Sequence, residues 1–257
     1  MKLRVLDLFS GIGGFSLGLE RTGGFETVAF CEIEPYCRAV LAKHWPAVLC
    51  YDDVRTLTAD SLATDGIAVD VICGGFPCQD ISFAGKGAGL SGERSGLWRE
   101  YVRIIGELRP RFVIVENVAA LLDRGLGDVL GDLASLGYDA EWHCIPACSV
   151  GAHHIRDRVW VVAYPVRDGF QSQVHLRDSL EARINEFSRS PARRDTFPID
   201  WESRSSEPAF LGMDDDVPNW MDRVHACGNG VVPEIPFLIG KAILESLNQP
   251  SLTGSSS

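Results

Sequence analysis

Cys78 stands where a side chain could do chemistry, directly after Pro77 in the segment 73-CGGFPCQDIS-82. Its thiol has three interpretations: a small buried hydrophobe, half of a metal site, or a nucleophile. Proline restricts the backbone just before the thiol. The glycine-rich segment 83–98 that follows is typical of a mobile loop that closes over a site. These neighbours favour the nucleophile, and Cys73, which has none of them, is expected to be a small core residue.

Acidic and basic side chains accompany two other apolar runs. Glu116 ends the run 111–116, and it is either a surface carboxylate or a proton donor whose pKa is raised by burial. Arg156 and Arg158 stand two residues apart where a strand is expected to begin, so both side chains should lie on one face. Arginine is suited to forked contacts with phosphate and guanine.

The glycine-rich turn 9-FSGIGG-14 follows the first apolar run. Such a turn lets the backbone approach a ligand closely, although many are only tight turns. Glu32 ends the second run, where a carboxylate can accept hydrogen bonds from both hydroxyls of a ribose, and Asp53 follows near the end of a third. With no positive charge expected nearby, the two acids favour a nucleoside ligand without a pyrophosphate. The alternative is two solvated acids.

The elements that must position these residues alternate along the chain. Apolar runs predict strands at 3–11, 26–34, 69–77, 111–118 and 158–165, and patterns of three and four predict helices at 14–23, 35–45, 96–110 and 127–137. Strands alternating with helices predict an α/β protein with a doubly wound, mostly parallel sheet. Ligands of such sheets bind at the carboxyl ends of the strands.

The alternation stops after residue 164. Residues 165–222 are rich in Arg, Ser, Asp and Pro and predict a small loop-rich region. Residues 223–247 end in an apolar helical pattern and are expected to rejoin residues 1–164 in one domain. Residues 248–257 are of low complexity and are expected to form a disordered tail.

The formal charge of −11 argues against a nucleic-acid partner, because phosphate contacts need Lys and Arg. The charge is uneven, however. Residues 156–204 contain nine basic residues, all Arg, and eight acidic ones, which gives +1; the other 15 basic and 27 acidic residues leave the remainder at −12. Basic charge is therefore concentrated locally.

The chain has eight cysteines, without the density of a secreted disulfide scaffold, and we expect most of them to be reduced and buried. Cys144 and Cys148 form a CxxxC spacing near His143, His153 and His154, side chains that bind zinc. No second ligand pair accompanies them, so we predict no metal site. With no apolar run of roughly 18 residues and no signal-peptide pattern, we predict a cytoplasmic protein that does not enter a membrane.

Together these residues resemble the cytosine-5 DNA methyltransferases of the compact bacterial or phage type. The matches keep one order over most of the chain: 6-LDLFSGIGGFSLGLE-20, Glu32, Asp53, 74-GGFPCQDIS-82, 116-ENV-118, 154-HIRDRVW-160 and 228-GNGVVP-233. The proline-cysteine motif is highly specific when it follows this glycine turn. Two features depart from the family: His154 replaces a common Gln, and the region 165–222, which would be the target-recognition region, is short.

The resemblance implies a Rossmann-like catalytic domain and a covalent mechanism. Cys78 would add to carbon-6 of a cytosine, and Glu116 would neutralise ring nitrogen 3. Arg158, with Arg156, would hold the base and lower the pKa of Cys78. The activated carbon-5 would then take the methyl group of S-adenosyl-L-methionine. The target base must be flipped out of the duplex, with segment 79–98 closing around it.

The resemblance also implies a cofactor site. Phe9 would stack on the adenine, Glu32 would bind the ribose and Asp53 the adenine amino group. The remaining predicted cofactor-binding residues are Gly11, Gly13, Pro77, Leu97 and Asn229. A C-terminal helix at 235–247 would pack beside the first strand.

Double-stranded DNA is the implied substrate, in a restriction-modification or phage-modification context with a cognate restriction endonuclease as a partner. We expect the enzyme to be a monomer. Two alternatives stay open at this point: methylation of transfer RNA, and a catalytically idle cofactor- or DNA-binding regulator. The presence of Cys78, Glu116 and both arginines argues against the regulator.

Overall fold

A seven-stranded sheet forms the centre of the molecule. The computed structural model describes residues 1–77, 96–152, 156–166, 178, 181–185 and 230–248. The strands in this part of the chain are β1 Leu3–Leu8, β2 Phe25–Cys31, β3 Leu49–Tyr51, β4 Val71–Gly75, β5 Phe112–Val118, β6 Tyr138–Pro146 and β7 Asp157–Pro165. The helices are α1 Gly14–Glu20, α2 Pro35–His44, α3 Ala59–Thr64, α4 Leu97–Leu108, α5 Leu121–Arg124, α6 Leu126–Ser135 and α7 Glu234–Asn248.

The strands lie in the order β3-β2-β1-β4-β5-β7-β6. Neighbours from β3 to β5 are parallel, whereas β7 is antiparallel to both β5 and β6. The predicted doubly wound, mostly parallel sheet is confirmed. Strand β6 was not predicted, because it is a partly exposed edge strand without an apolar run.

Local sequence explains where several helices begin. Pro35 occupies the first turn of α2, where its missing N–H costs nothing. Thr58 and Ser61 form a reciprocal capping box at the start of α3. In α4, Trp98, Tyr101 and Ile105 are buried at spacings of three and four, so one face of the helix packs on the sheet.

Apolar side chains cover both faces of the sheet. One core joins Leu6, Leu8 and Val115 of the strands to α4 and α6. The other joins Leu3 and Val5 of β1 to α1 and α7. The C-terminal helix thus packs against α1 and shares a core with the first strand, close to the predicted position. No helix among the described residues has the length and hydropathy needed to cross a bilayer.

Candidate active site

The end of β5 brings Glu116 beside the end of β4. In the parallel pairing Gly75 lies opposite Glu116. A Cβ atom added to Gly75 would lie 2.6 Å from Glu116 Oε2, closer than van der Waals contact permits. Glycine at this position therefore makes the room that the Glu116 carboxyl occupies.

Glu116 is a buried carboxyl with a cationic partner. Its exposed fraction is 9%, and Arg158 Nε lies 2.7 Å from Glu116 Oε1. Burial raises the pKa of Glu116 above its ordinary value, and this effect exceeds the opposing influence of Arg158 and Arg156. The predicted raised pKa of Glu116 is consistent with this environment.

Both arginines of the predicted pair face the same cavity as Glu116. The cavity is lined by Glu116, Arg156, Arg158, Trp160, Gly230 and Val231, among others. Arg156 Nη1 donates to the backbone oxygen of Gly230 at 3.0 Å. This hydrogen bond holds the backbone at Gly230 beside the end of the sheet.

Sequence reasoning missed the part that Trp160 has in this cavity. Trp160 pairs with Glu116 across β5 and β7, and its exposed fraction is 2%. Its buried indole Nε1 has no hydrogen-bond partner within the described ranges. The signal was present in the sequence, because Trp160 lies two residues after Arg158 and must share its face in a strand.

Asn117 fixes the backbone that leads to Cys78. Its buried side-chain Nδ2 donates to the Phe76 backbone oxygen at 3.1 Å. Phe76 itself is buried, and Pro77 is half-buried. Asn117 belongs to the quoted 116-ENV-118 motif, but only the fold shows that it links the ends of β4 and β5.

Several predicted features fall outside the described residues: Cys78, residues 79–95 of the loop that follows it, His154, Asn229, most of the region 165–222, and the tail from residue 249 onward.

The glycine-rich turn after β1 has an unusual backbone. Phe9 has φ 52°, Gly11 φ 54° and Gly13 φ 86°. A positive φ is common for glycine but strained for an aromatic residue, and such strain is concentrated at functional sites. Ser10 holds the turn, since its Oγ donates to the Asp7 backbone oxygen at 2.6 Å. The Phe9 ring lies 6.2 Å from the Tyr101 ring, centroid to centroid.

Glu32 ties this turn to β2. Its Oε2 accepts from the Gly11 backbone N–H at 2.7 Å, and its Oε1 accepts from the Glu34 N–H at 2.8 Å. Its exposed fraction is 7%. Each carboxylate oxygen keeps a lone pair for a further donor.

Gly13, also in this turn, is needed for packing. A Cβ atom added to Gly13 would lie 2.7 Å from the Trp45 ring.

Asp53 follows β3, the strand that neighbours β2, so the two predicted acids do lie at adjacent strand ends. The expectation that no positive charge lies nearby is wrong. Arg55 Nη2 lies 2.6 Å from Asp53 Oδ2, and the Arg55 side chain lowers the pKa of Asp53. The sequence did not predict this contact, because residues two apart form such a pair only if the Arg55 side chain turns back toward the Asp53 carboxylate.

Asp7 is a buried acid that sequence reasoning did not use. It is fully buried in β1, and its Oδ2 accepts from Ser16 Oγ at 2.7 Å. Burial raises the pKa of Asp7 to about 7. Burial also raises the pKa of the Cys73 thiol, which is opposite Asp7 in the sheet, well above its usual value. The prediction that Cys73 is a core residue is confirmed.

The described cysteines differ from the expectation of general burial. Cys31, Cys37 and Cys73 are buried, but Cys144 and Cys148 are exposed. Within the described ranges, no group of three or more His, Cys, Asp or Glu side chains is placed to hold a metal ion.

The amino-acid sequence is similar to those of known proteins. Residues 3–190 match the family described as C-5 cytosine-specific DNA methylase. The chain is 34% identical over 192 residues to the Type II methyltransferase M2.BsuMI of Bacillus subtilis (strain 168), covering 70% of this chain and 48% of that protein. It is 33% identical over 213 residues to the Type II methyltransferase M.HgiBI of Herpetosiphon aurantiacus, covering 76% and 48%.

A solved structure shows the same fold. The S. pombe Dnmt2 methyltransferase superimposes with a TM-score of 0.54 at 20% identity, over 69% of this chain and 53% of that one. The expected Rossmann-like methyltransferase fold is therefore confirmed. The chain spans about half the length of the two curated relatives. Since the family match covers residues 3–190, the chain belongs to the C-5 cytosine-specific DNA methylase family.

Proposed function

We propose that this chain transfers a methyl group to carbon-5 of a flipped-out cytosine in double-stranded DNA. The observation that carries the proposal is the cavity in which the buried Glu116 carboxyl meets Arg156 and Arg158. The chain that leads from β4 to the Pro77-Cys78 motif starts beside this cavity, because Gly75 lies opposite Glu116. A proton donor, two cations and a cysteine are the groups that this chemistry requires.

The cysteine solves the main chemical problem. Carbon-5 of cytosine is too poor a nucleophile to be methylated directly, so the Cys78 thiolate first forms a bond to carbon-6. The electron pair of the ring double bond moves toward nitrogen 3. Glu116, whose pKa is raised by burial, gives its proton to nitrogen 3 and thereby prevents charge from accumulating on the ring.

The arginines orient the base and its acid. Arg158 holds the Glu116 carboxyl at 2.7 Å, and both cations make the cavity electropositive, which favours the Cys78 thiolate. After methylation, the carbon-5 proton passes to solvent as the Cys78–carbon-6 bond breaks and the thiolate leaves, and nitrogen 3 returns its proton to Glu116, which restores the ring. The base must leave the duplex for Cys78 to reach carbon-6.

S-adenosyl-L-methionine supplies an electrophilic methyl group when bound, and the residues present fit it. The buried Glu32 carboxylate has lone pairs left for ribose hydroxyls beside the Gly11 amide. We assign the adenine to Phe9, and its amino group to Asp53, which would share its carboxylate between this group and Arg55. Gly11, Gly13, Pro77, Leu97 and Asn229 complete the proposed site.

The biological context is inferred from relatives. Both curated relatives compared above are named Type II methyltransferases, which supports a role in restriction-modification. We propose a cognate restriction endonuclease as the partner in that context. We assign target recognition to residues 165–222 and catalysis to residues 1–164 with 223–247. We further propose that the enzyme is cytoplasmic and monomeric.

Methyl transfer from radiolabelled S-adenosyl-L-methionine tests this function. Duplex DNA and transfer RNA are offered separately, and methylated DNA is sequenced after bisulfite treatment. We expect label in DNA alone and protected cytosines in one short sequence context. Label in transfer RNA alone, or in neither polymer, would overturn the proposal.

A further inference from the structure

Arg103 connects helix α4 to the loop that carries Asp53. Its Nη2 donates to two backbone oxygens of that loop, Val54 O at 3.0 Å and Leu57 O at 2.8 Å. Its Nε lies 2.7 Å from Glu100 Oε2, and its Nη1 lies 2.6 Å from Glu107 Oε1. Four N–H groups of one side chain are thus used, two of them on the loop.

Glu107 adds a second connection between the same two elements. Its Oε1 accepts from Arg103 Nη1, and its Oε2 accepts from the Ala59 backbone N–H at 3.0 Å. Helix α4 therefore holds backbone atoms of Val54, Leu57 and Ala59. These contacts constrain the loop more than a surface ion pair would. Hydrogen bonds to its backbone atoms can form only when the loop lies in one position on α4.

The held loop determines where Asp53 lies. The N–H groups of Thr56 and Leu57 donate to the Asp53 backbone oxygen at 3.1 and 3.2 Å, which closes a turn directly after the acid. The side chains of Val54 and Leu57 are buried in the core under α4. Any shift of the loop on α4 would therefore move Asp53.

The other end of the connection is also part of the proposed cofactor site. Leu97, assigned to that site, is the first residue of α4, and it packs against the same core as Phe9. Arg103 lies in the same helix. It therefore fixes the distance between the Asp53 side and the Leu97 side of the site.

We propose that Arg103 is a positioning residue for the adenosine half of the cofactor site. This inference rests on the proposed function, since Asp53 and Leu97 are assigned to the cofactor there. Arg103 touches neither reacting group, and it acts by holding the Asp53 loop on α4. Its loss should weaken cofactor binding and leave the chemical step and DNA binding nearly unchanged.

The test compares Arg103→Met with a matched control. Methionine keeps an apolar side chain of similar length and removes every donor. Arg4→Met removes a comparable forked pair, since Arg4 donates to Asp70 at 2.8 and 3.1 Å at the start of β1. That end of the sheet is opposite to the carboxyl ends that carry the site.

Isothermal titration with S-adenosyl-L-homocysteine gives binding directly, and steady-state kinetics gives kcat and both KM values. For Arg103→Met we expect a dissociation constant and a cofactor KM about tenfold higher, as the loss of charge-assisted hydrogen bonds implies. We expect kcat and the DNA KM to change less than about twofold. Arg103→Lys, which keeps the charge without the fork, should recover only part of the affinity.

The outcomes separate this inference from the proposed function. Wild-type binding with a selective loss in Arg103→Met supports it. Equal binding by wild type, Arg103→Met and Arg4→Met overturns the inference and leaves the proposed function standing. Absence of binding by a folded wild-type protein overturns both. If Arg103→Met does not fold, as judged by circular dichroism, unchanged cofactor affinity in Arg103→Lys and Glu107→Ala overturns the inference.

Discussion

Glu116 shows how single residues create the proposed chemistry. Burial alone would keep this carboxyl neutral, whereas the Arg158 guanidinium at 2.7 Å favours its charged form. Burial has the larger effect, and the pKa of Glu116 is raised. A carboxyl in this balance can hold a proton at a higher pH than an exposed one, as the proposed proton donor to nitrogen 3 must.

Replacement of Glu116 by Gln should lower kcat/KM by roughly 10²–10⁴-fold, because general acid catalysis is lost. In the wild type, kcat/KM should decrease as pH rises through the raised pKa of Glu116, since the protonated form acts. This alkaline decrease should be absent in Glu116→Gln. Rates of methyl transfer, measured over a pH range that starts near the ordinary pKa of glutamic acid and extends upward, provide the measurement.

Glu141→Gln is the matched control for this prediction. Glu141 accepts a hydrogen bond from the Tyr164 hydroxyl at 2.9 Å on the same sheet, and it does not line the cavity. The control should retain activity within about twofold. A Glu116→Gln enzyme as active as this control would show that Glu116 is not the acid.

At the scale of elements, close contacts between α1 and the chain before α7 hold the C-terminal helix on the sheet. A Cβ on Gly14 would lie 2.5 Å from the Val231 backbone oxygen. A Cβ on Gly18 would lie 2.2 Å from the Pro233 backbone oxygen. The same segment contributes Gly230 and Val231 to the cavity, so this packing also shapes the site.

Gly18→Ala should therefore lower the free energy of unfolding by about 1–3 kcal/mol, because backbone must move to admit the methyl group. Gly131→Ala is the control. Gly131 is exposed in α6 with no atom within 4 Å of the added Cβ, so this change should raise the free energy by roughly 0.5–1 kcal/mol. Urea denaturation measures both; equal stability of the two variants would refute the close contact.

Asp7 links β1, β4 and α1 through its contacts with Cys73 and Ser16. Its pKa is about 7 in the folded protein and near 3.8 when the side chain is free. The folded protein therefore binds more protons, and the Asp7 contribution to stability decreases as pH rises from about 4 to about 7. The shift corresponds to at most roughly 4 kcal/mol.

Asp7→Asn removes this titration. The free energy of unfolding of the wild type, relative to that of the variant, should fall by roughly 3 kcal/mol between pH 5 and pH 8. Urea denaturation at several pH values measures the difference, which cancels the groups common to both proteins. A difference that does not change with pH would contradict a raised pKa of Asp7.

At the scale of the whole molecule, the sequence predicted most of the strands of the sheet and the common face of Arg156 and Arg158 in the candidate site. Apolar runs were sufficient for β1, β2, β4, β5 and β7, and strand spacing placed Arg156 and Arg158 together. Edge strand β6 was not predicted, because its partly exposed residues form no apolar run. The Asp53–Arg55 pair and the Arg156–Gly230 contact depend on side-chain conformation and on pairing across 74 residues, which no local pattern records.

The central claim is that Cys78 serves methylation of carbon-5 of cytosine in DNA. Duplex DNA is incubated with S-adenosyl-L-methionine and enzyme, digested to nucleosides and analysed by mass spectrometry. Wild type and Cys144→Ser, which changes an exposed cysteine on β6, should both form 5-methyl-2′-deoxycytidine, and Cys78→Ser should form none. Formation of 5-methyl-2′-deoxycytidine by Cys78→Ser, or methylation of an exocyclic amine by the wild type, would contradict the account.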